Sequence, residues 1–490
     1  MSRTHRISAK YACVLITCIG IYLQDSIFAQ VCFYDSNEKE LSKFEVNSVS
    51  NTDSIQSYFL DSGINKVHRI HVNGIEDITN LLSAALKEGG LIQISGDIGV
   101  VSRPLVISQD NTHIIVDRNT IIKWTHPTYG VILRTIYTVD KTTILNNISV
   151  VGGIWEIGGA DIDPGGAPAI MMVGVSNLLV SNIIMYDPYK FFFGFGGIDG
   201  FEISNITMIL RNTSIPGKDG LHFAGGVRNG IVSNIRGNTT DDLVALNFGG
   251  DVVGDSEKGM MFVGDSYNVR VTNVFSDNAW QAVRLLADDI YKCTDIVIDG
   301  VYGVVKNHSC ISISGWMFEG HSAKFGDITL SNIHIRTPNT IRDSYEAWHT
   351  PIVLVGNHWS GIVPCTINRL TIKQCVVTQS PGMIQTPVRI LGNTIIDSLV
   401  IDELIVQSDG IVDLGERNVV DIGFGDTNTT VENLKITNSY IEKTSTPFRS
   451  LISLENDVSK VGKTIIDNNL LGTTLPNSLG NMTVTNNRFL

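Results

Sequence analysis

Short apolar segments that contain a polar bend recur along most of this chain. The four clearest copies span residues 178–183, 201–206, 230–235 and 269–274, and each carries Asn at its fifth position. Further copies lie at 296–301, 328–333, 370–376, 399–404, 434–439 and 482–487. Equivalent positions are separated by 23, 29, 39, 27 and 32 residues. Because this spacing is irregular, the inserted residues are expected to form loops at the corners of a repeating coil.

The repeating segments are predicted to be the strands of a parallel solenoid. No helical pattern separates them, which excludes folds that alternate strands with helices. The frequent turns and hairpin dipeptides that are typical of a β-sandwich are scarce. Stacked Asn side chains can hydrogen-bond to their copies in the next coil, which explains why Asn returns at one position. We therefore expect an all-β chain with one parallel β-helix domain over 75–490 and coil strands from about residue 90 onward.

A helical pattern precedes the first of these strands. Ile78, Leu81, Leu82, Ala85 and Leu86 fall at helical spacing, and Gly89-Gly90 ends the run. The spacing predicts a short capping helix over 77–88, which would cover the apolar core and unpaired edges at the open end of the stack. Short strands are then predicted at 91–94, 105–107, 114–116 and 148–151.

Composition and charge narrow the class of protein. Hydrophobic residues make up 43% of the 490 positions and charged residues 17%, so the chain is folded rather than disordered. Its 46 glycines suit a chain with many tight corners. The net charge of −13 argues against a nucleic-acid partner or an anionic membrane surface. It leaves an acidic glycan open, because a local basic cleft can exist on an acidic protein.

The first 29 residues have the pattern of a secretory signal peptide. Arg3, Arg6 and Lys10 form its basic part, residues 12–23 form its apolar part, and Ala29 is a plausible cleavage position. The apolar part is too short to span a bilayer. We expect a secreted or periplasmic protein without a membrane span, in which residues 30–74 form an N-terminal extension of unassigned role.

The cysteines do not form a disulfide framework. Beyond the predicted signal the chain has five: Cys32, Cys293, Cys310, Cys365 and Cys375. An odd number so widely spaced is not typical of a disulfide-stabilised domain. Cys365 with Cys375, or Cys293 with Cys310, can pair across a coil, and buried free thiols are the alternative. No cysteine–histidine cluster has the spacing of a metal site, and neither a metal nor a cofactor is predicted.

Three acids stand out among the repeats. Asp219 precedes the adjacent pair Asp241 and Asp242 by 22 and 23 positions. If one coil takes about 22 residues, these acids become neighbours on strands about 4.8 Å apart. Carboxylates at so short a distance resist being ionised together, so one of them can stay protonated near neutral pH. Acids that only cap turns are the alternative, since Asp-Gly is common there. The spacing favours a catalytic group.

The segments around these acids resemble two motifs of the polygalacturonase family, glycoside hydrolase family 28. Residues 217–221, Gly-Lys-Asp-Gly-Leu, are similar to its Asn-Thr-Asp-Gly motif, and 240–247 are similar to its Gly-Asp-Asp-Cys motif and the strand after it. Residues 152–155 resemble the Gly-rich coil that precedes them.

The resemblance implies a right-handed parallel β-helix that hydrolyses glycosidic bonds with inversion. It also implies that Asp241 is the general acid and that Asp219 and Asp242 activate water.

Two other motifs of that family are missing. Where Gly-His-Gly is expected, residues 279–282 read Ala-Trp-Gln-Ala, and where Arg-Ile-Lys is expected, residues 312–314 read Ser-Ile-Ser. The resemblance implies that the second of these would hold the uronate carboxylate of the substrate. The catalytic acids are therefore present without the galacturonate contacts. This combination indicates a hydrolase with an altered substrate, for which a neutral glycan is a candidate.

Four residues are candidates for the altered substrate-binding surface: His222, Trp280, Arg284 and Lys306. Strand alternation directs His222 outward beside Asp219, where it would orient a carboxylate or bind a hydroxyl, or simply occupy the surface. Trp280 would stack on a sugar ring or belong to the core. Arg284 and Lys306 would supply positive charge to an acidic substrate.

Three more tryptophans are candidates for the same cleft from residue type alone: Trp316, Trp348 and Trp359.

Two other functions fit a parallel β-helix. A polysaccharide lyase or uronate epimerase needs a basic residue and often Ca²⁺, which the three acids could hold, but no well-placed basic residue is evident near Asp219. A non-catalytic glycan-binding protein needs only the long surface that a solenoid offers. In all three cases the expected partner is a polysaccharide or oligosaccharide. The oligomeric state is not predicted.

Overall fold

The computed structural model describes two compact units, Met1–Gly63 and Ile64–Leu490. In the first unit it describes 16–23, 26–34 and 40–45. In the second it describes 66–490 apart from 127–130, 162–166, 249–261, 306–307, 316–321, 338–349, 357–363, 381–384, 409–416, 425–427, 444–447, 455–458 and 476–480.

The first unit holds a small antiparallel sheet. Its strands are β1 (Ile16–Leu23), β2 (Ser26–Tyr34) and β3 (Glu40–Glu45), with β2 in the middle. Strand β1 and part of β2 fall within the predicted signal peptide, so export of the chain remains a prediction. Among the described residues of both units, no helix is long and apolar enough to cross a membrane.

The second unit is a right-handed parallel β-helix, and its described residues include two short helices, α1 (Thr79–Glu88) and α2 (Tyr137–Asp140). Its strands are β4 (Val67–Asp77), β5 (Gly90–Val101), β6 (Leu105–Ile107), β7 (Thr112–Trp124), β8 (Leu133–Thr135), β9 (Leu145–Glu156), β10 (Ile170–Tyr186), β11 (Phe193–Ile209), β12 (Leu221–Phe223), β13 (Arg228–Asn238), β14 (Asp242–Asn247), β15 (Ser266–Ala279), β16 (Gln281–Ala287), β17 (Cys293–Val305), β18 (Ile311–Gly315), β19 (Ala323–Arg336), β20 (Val353–Val355), β21 (Cys365–Gln379), β22 (Val388–Leu391), β23 (Thr394–Ser408), β24 (Asn418–Phe424), β25 (Thr430–Thr437), β26 (Tyr440–Ile441), β27 (Ser450–Leu454), β28 (Lys460–Asp467), β29 (Leu470–Leu471), β30 (Met482–Thr485) and β31 (Arg488–Phe489).

The coils stack with the residue spacings that the sequence repeats predict. Val180 pairs with Ile203, which pairs with Val232, and Val271 follows in the next coil. These residues belong to the long ladder, which contains β10, β11, β13, β15 and their equivalents. A second, short ladder runs through β12, β14, β16, β18, β20, β22 and β24. The prediction of a parallel β-helix is confirmed.

The recurrent Asn marks a left-handed bend within the long ladder. Asn205, Asn234 and Asn273 have φ values of 56°, 55° and 55°, a region in which Asn is better tolerated than most residues. The Nδ2 atom of Asn234 donates to Oδ1 of Asn205 at 2.9 Å, and Asn273 donates to Asn234 at 3.1 Å. The Asn side chains therefore form the predicted ladder from coil to coil.

The beginning of the β-helix differs from the expectation. Strand β4 pairs in parallel with β5, so the stacked strands begin at Val67 rather than near residue 90. Helix α1 begins at Thr79 instead of residue 77, because Asp77 ends β4 and its Oδ1 accepts the Thr79 N–H at 2.8 Å. Leu82 and Leu86 are buried on the inner face of α1, as a capping helix requires, whereas Leu81 of the predicted apolar pattern is exposed.

The interior of the coils is apolar and continuous, and it includes the cysteines of the second unit. Cys293, Cys310, Cys365 and Cys375 are buried free thiols, so of the two alternatives the unpaired one is correct for these four. Burial raises the pKa of Cys365 and of Cys375 to about 12, and thiolate chemistry is not expected at either.

Candidate active site

The three acids meet where the short ladder begins in two consecutive coils. Asp219 lies two residues before β12, Asp241 lies one residue before β14, and Asp242 is the first residue of β14. The Gly220 N–H donates to the Asp242 carbonyl oxygen at 2.8 Å, which fixes the two coils against each other at this level. The offset of 23 residues therefore makes Asp219 and Asp242 neighbours.

An interruption of the strand alternation turns Asp242 outward. Strict alternation would place Asp242 on the same face as Val244 and Leu246, which lie in the core. Leu243 also belongs to the core, so two consecutive side chains point inward. Asp242 consequently joins the outer face of the strand, where it faces the other two acids.

The carboxylates form a tight cluster. One oxygen from each of Asp219, Asp241 and Asp242 can be chosen so that all three atoms lie within 4.8 Å of one another. Asp219 is held on both sides: its Oδ1 accepts the Asp242 N–H at 3.2 Å, and its Oδ2 lies 2.7 Å from Nδ1 of His222. Asp219 and Asp242 are buried, whereas Asp241 is only partly buried.

Proximity and burial keep protons on this cluster. Burial and then the charge of Asp219 raise the pKa of Asp241 to about 7, although Arg284, Lys190 and His222 act in the opposite direction. Burial also raises the pKa of Asp242 well above its ordinary value; Arg284 lowers it in part, and the other two acids raise it further. At neutral pH the cluster therefore retains at least one proton, and Asp241 is its most accessible member.

Arg284 belongs to the cluster rather than to a separate binding surface. It follows in the next coil, directly beside Ala245, and its Nη1 atom lies 3.5 Å from Oδ2 of Asp242. Burial alone would lower the pKa of Arg284, but Asp242, Asp241 and Asp219 outweigh this effect and raise it. Arg284 therefore stays protonated and partly neutralises the carboxylates.

His222 lies on the outer face beside Asp219, as predicted, but it is not a surface residue. Its ring stacks on Phe191 from the preceding coil, with ring centroids 4.3 Å apart and planes inclined by 7°. Only 4% of the residue is exposed. This packing fixes the imidazole against Asp219, which suits a positioning role better than direct contact with a sugar.

The same three acids have the spacing to hold a metal ion, and the surrounding charges disfavour one. Ca²⁺ takes six to eight oxygen ligands in proteins, whereas this cluster offers three carboxylates with raised pKa values at two of them. The guanidinium of Arg284 already supplies the positive charge next to Asp242. A proton and an arginine therefore balance part of the negative charge here, and the absence of a metal stays a prediction.

Of the other predicted residues, one lies near the three acids and four lie outside the described part of the chain. Trp280 is partly buried and lines an open cleft together with Thr239 and Thr240, which directly precede Asp241. Lys306 and the three candidate tryptophans Trp316, Trp348 and Trp359 lie outside the described residues.

Lys218, the neighbour of Asp219, has a role that the sequence did not reveal. Its side chain is fully buried, and its Nζ atom donates to the carbonyl oxygens of Gly159 and Pro188, the latter at 3.0 Å. These acceptors lie 59 and 30 residues earlier in the chain. The lysine thereby anchors the segment that carries Asp219, and a cation inside an acidic motif was the only signal in the sequence.

The raised pKa of Asp241 predicts a pH-dependent stability. Between pH 3.8 and about 7 the folded protein keeps a proton that the unfolded chain releases, so the free energy of unfolding falls as pH rises. The slope contributed by one such group is at most about 1.4 kcal/mol per pH unit. Asp241→Asn removes this contribution, and we expect the variant to gain stability relative to the wild type between pH 5 and pH 8. Thermal unfolding at both values tests this.

Asp289→Asn, an exposed acid outside the cluster, is the matched control and should show no such gain. An equal gain in both variants would mean that Asp241 titrates as an ordinary acid.

Comparison with known proteins defines the fold class. No protein-family model matches the chain, and no curated protein matches it. A mutant tailspike protein of E. coli bacteriophage HK620, in complex with a pentasaccharide, aligns with a TM-score of 0.52 at 11% identity over 88% of this chain and 73% of that one. Endo-xylogalacturonan hydrolase from Aspergillus tubingensis aligns with a TM-score of 0.47 at 12% identity over 74% of this chain and 95% of that one.

An iota-carrageenase of glycoside hydrolase family 82 from A. fortis aligns with a TM-score of 0.44 at 14% identity over 57% of this chain and 74% of that one. Of these three, the alignment with the tailspike protein, at a TM-score of 0.52, supports the parallel β-helix fold. It does not single out the polygalacturonase family.

Proposed function

We propose that this protein is a glycoside hydrolase in which Asp241 is the general acid and Asp219 and Asp242 activate water. One observation carries the proposal. A partly accessible Asp241 with a pKa of about 7 lies beside two buried carboxylates. Glycosidic hydrolysis needs an acid that is protonated at working pH and a second carboxylate that directs the nucleophile. The surroundings of the three acids favour this combination of one protonated and one ionised group.

Accessibility distinguishes the acid from the other two residues. The general acid must approach the leaving oxygen to within hydrogen-bond distance. Asp242 is 1% exposed and faces Arg284, and Asp219 is 4% exposed and faces His222. Asp241 alone of the three keeps appreciable contact with solvent. Its proton is therefore the one that a bound glycan can receive.

Asp219 is positioned to accept a proton from water. Its orientation is fixed by the Asp242 N–H and by His222, whose imidazole donates to it when the proton is on Nδ1. Phe191 holds the imidazole in place by stacking. Asp242 lies on the neighbouring strand beside Arg284, and in its ionised form it would support the same water.

The protonation of Arg284 favours hydrolysis over elimination. A lyase requires a base that removes a carbon-bound proton, usually an arginine or a lysine, and Arg284 is the described arginine in contact with the cluster. The three carboxylates raise its pKa, which makes it a poor base. The tight cluster of acids also opposes the approach of a uronate carboxylate, the group that a lyase or epimerase must bind and neutralise.

A panel of plant and microbial polysaccharides tests the proposal. New reducing ends without ultraviolet absorption mean hydrolysis, unsaturated ultraviolet-absorbing ends mean elimination, and binding without products means a glycan-binding protein. We expect reducing ends from a glycan other than polygalacturonate, because the uronate-binding motifs are absent from 279–282 and 312–314. Exclusive elimination, or binding without cleavage across the panel, would refute the hydrolase. An extracellular glycan fits the predicted export of the chain.

The products are expected to have inverted anomeric configuration. The carboxylate oxygens lie closer together than the roughly 6.5–9.5 Å typical of inverting enzymes, a spacing that taken alone favours retention. Burial favours inversion, because a water molecule reaches Asp219 and Asp242 more readily than a sugar ring does. Proton NMR of the first product formed measures the outcome. Retention would instead make one of the buried acids a nucleophile.

A further inference from the structure

An open cleft of about 720 Å³ adjoins the proposed general acid. It lies at one corner of the coils, where the segment between β11 and β12 faces the turns that precede β14 and β16. Its volume falls in the range of about 300–1,000 Å³ that is common for small-molecule sites. Nothing in the mechanism proposed above uses this cleft.

The cleft is coupled to Asp241 through the chain itself. Thr239 and Thr240 line it and directly precede Asp241, and the Thr239 hydroxyl donates to the Asp241 carbonyl oxygen at 2.8 Å. Trp280 lines the cleft from the next coil, adjacent to Gln281, which pairs with Asp242 across the strands. A molecule in the cleft therefore lies next to the site of proton transfer.

The polar groups of the cleft suit hydroxyl groups. Asn212 and Asn278 offer amides, and Trp280 offers the aromatic surface on which a sugar ring can stack. Within the described part of the chain, the buried Oγ1 atom of Thr240, a residue that lines the cleft, has no protein hydrogen-bond partner. Buried acceptors need donors, and the hydroxyl groups of a sugar are donors.

The charges around the cleft disfavour an anionic sugar. Arg211 lines the cleft, but its Nη2 atom lies 2.9 Å from Glu156 and its Nη1 atom 3.2 Å from Asp187. Asp161 adds a further carboxylate to the wall, where it accepts a hydrogen bond from Asn212 at 2.7 Å. The charge of Arg211 is thus already matched, and a uronate or sulfate group would meet net negative charge.

We propose that this cleft is a subsite for an uncharged, hydroxyl-rich sugar unit of the substrate, with Trp280 as its stacking platform and the charge of Arg211 balanced by Glu156 and Asp187. The position of this unit beside the cleaved bond rests on the proposed function. Its binding does not, because a monosaccharide can occupy the cleft without being cleaved.

Binding of monosaccharides to the full chain tests the proposal. Methyl glycosides of glucose, galactose, mannose and N-acetylglucosamine are compared with the methyl glycosides of glucuronic and galacturonic acid by saturation-transfer NMR and calorimetry. We expect at least one neutral glycoside to bind and its matched uronate to bind more weakly. Trp280→Ala should weaken that binding about tenfold, and Trp280→Phe, which keeps an aromatic face, should restore most of it.

A charge variant supplies the sharper test. Glu156→Gln keeps the shape of the side chain but removes one of the two carboxylates that balance the charge of Arg211. The ratio of the two affinities should therefore shift several-fold toward the matched uronate. Glu202→Gln, an exposed glutamate on the same ladder, should leave the preference unchanged. Tighter uronate binding by the wild type, no binding of any neutral glycoside, or equal binding by the Trp280→Ala variant would each overturn the subsite.

The binding and cleavage experiments test the subsite and the hydrolase activity separately. Neutral sugars that bind to a protein inactive on every polysaccharide would leave the subsite standing and remove the hydrolase. Cleavage with a KM unaffected by Trp280→Ala would do the reverse.

Discussion

Replacing Asp241 with Asn is expected to lower turnover by on the order of 10³-fold while leaving substrate binding nearly unchanged. The amide has the shape of the carboxyl group but cannot donate the proton that the leaving oxygen requires. Because the pKa of Asp241 is raised to about 7, wild-type turnover should also decline as pH rises through neutrality, and the residual rate of the variant should lack this decline. Steady-state kinetics over a range of pH on the glycan identified in the panel measure both effects.

The leaving group provides an internal control for this assignment. A dinitrophenyl glycoside of the same sugar departs without protonation, so the Asp241→Asn variant should cleave it at a rate much closer to that of the wild type. The exposed-acid variant Asp289→Asn should behave as the wild type on both substrates. An Asp241→Asn enzyme equally impaired on both would have lost something other than the general acid.

Asp219→Asn is expected to cause a loss of similar size through the other half of the reaction. The variant keeps an oxygen that can accept the Asp242 N–H, so the fold is preserved, but it cannot take a proton from water. Azide, which attacks without deprotonation, should restore turnover and yield a glycosyl azide of inverted configuration. Kinetics with added azide, together with NMR of the product, test this.

Two comparisons delimit the role of Asp219. His222→Ala should cost less than Asp219→Asn, because it removes the partner that orients the carboxylate and not the carboxylate itself. Asp242→Asn should be severe, since it removes the second buried acid and leaves Arg284 beside a neutral amide. Azide rescue of Asp241→Asn to the same extent would exchange the roles assigned to the two residues.

The architecture and the proximity of the acids could be predicted from the sequence because both depend on offsets between repeats. The recurring Asn exposes the left-handed bend, and once Asn205 stacks under Asn234 the register of every neighbouring residue follows. The acids are separated by one coil, so Asp219 and Asp242 had to become neighbours. Paired strands thus always belong to successive coils, even though the residues in contact are distant in sequence.

The contacts that complete the site could not be predicted, since they depend on loop lengths and packing between coils. Arg284 reaches Asp242 only because the coil between Val232 and Val271 absorbs an insertion and returns in register. The burial of His222 depends on Phe191, a residue of the preceding coil with no distinguishing pattern. Strand β4 was not predicted for a related reason. Among the described strands it pairs with β5 alone, and it lacks Asn at the bend where several later coils carry it.

Cleavage in water enriched in oxygen-18 is the most direct test of the central claim, that these acids direct water onto a glycosidic bond. In products sampled before the anomeric hydroxyl exchanges with water, we expect one heavy oxygen at each new reducing end and no unsaturated ends that absorb in the ultraviolet. Both Asp241→Asn and Asp219→Asn should suppress the incorporation. Products that carry no heavy oxygen but absorb in the ultraviolet, or incorporation that survives both substitutions, would contradict this claim.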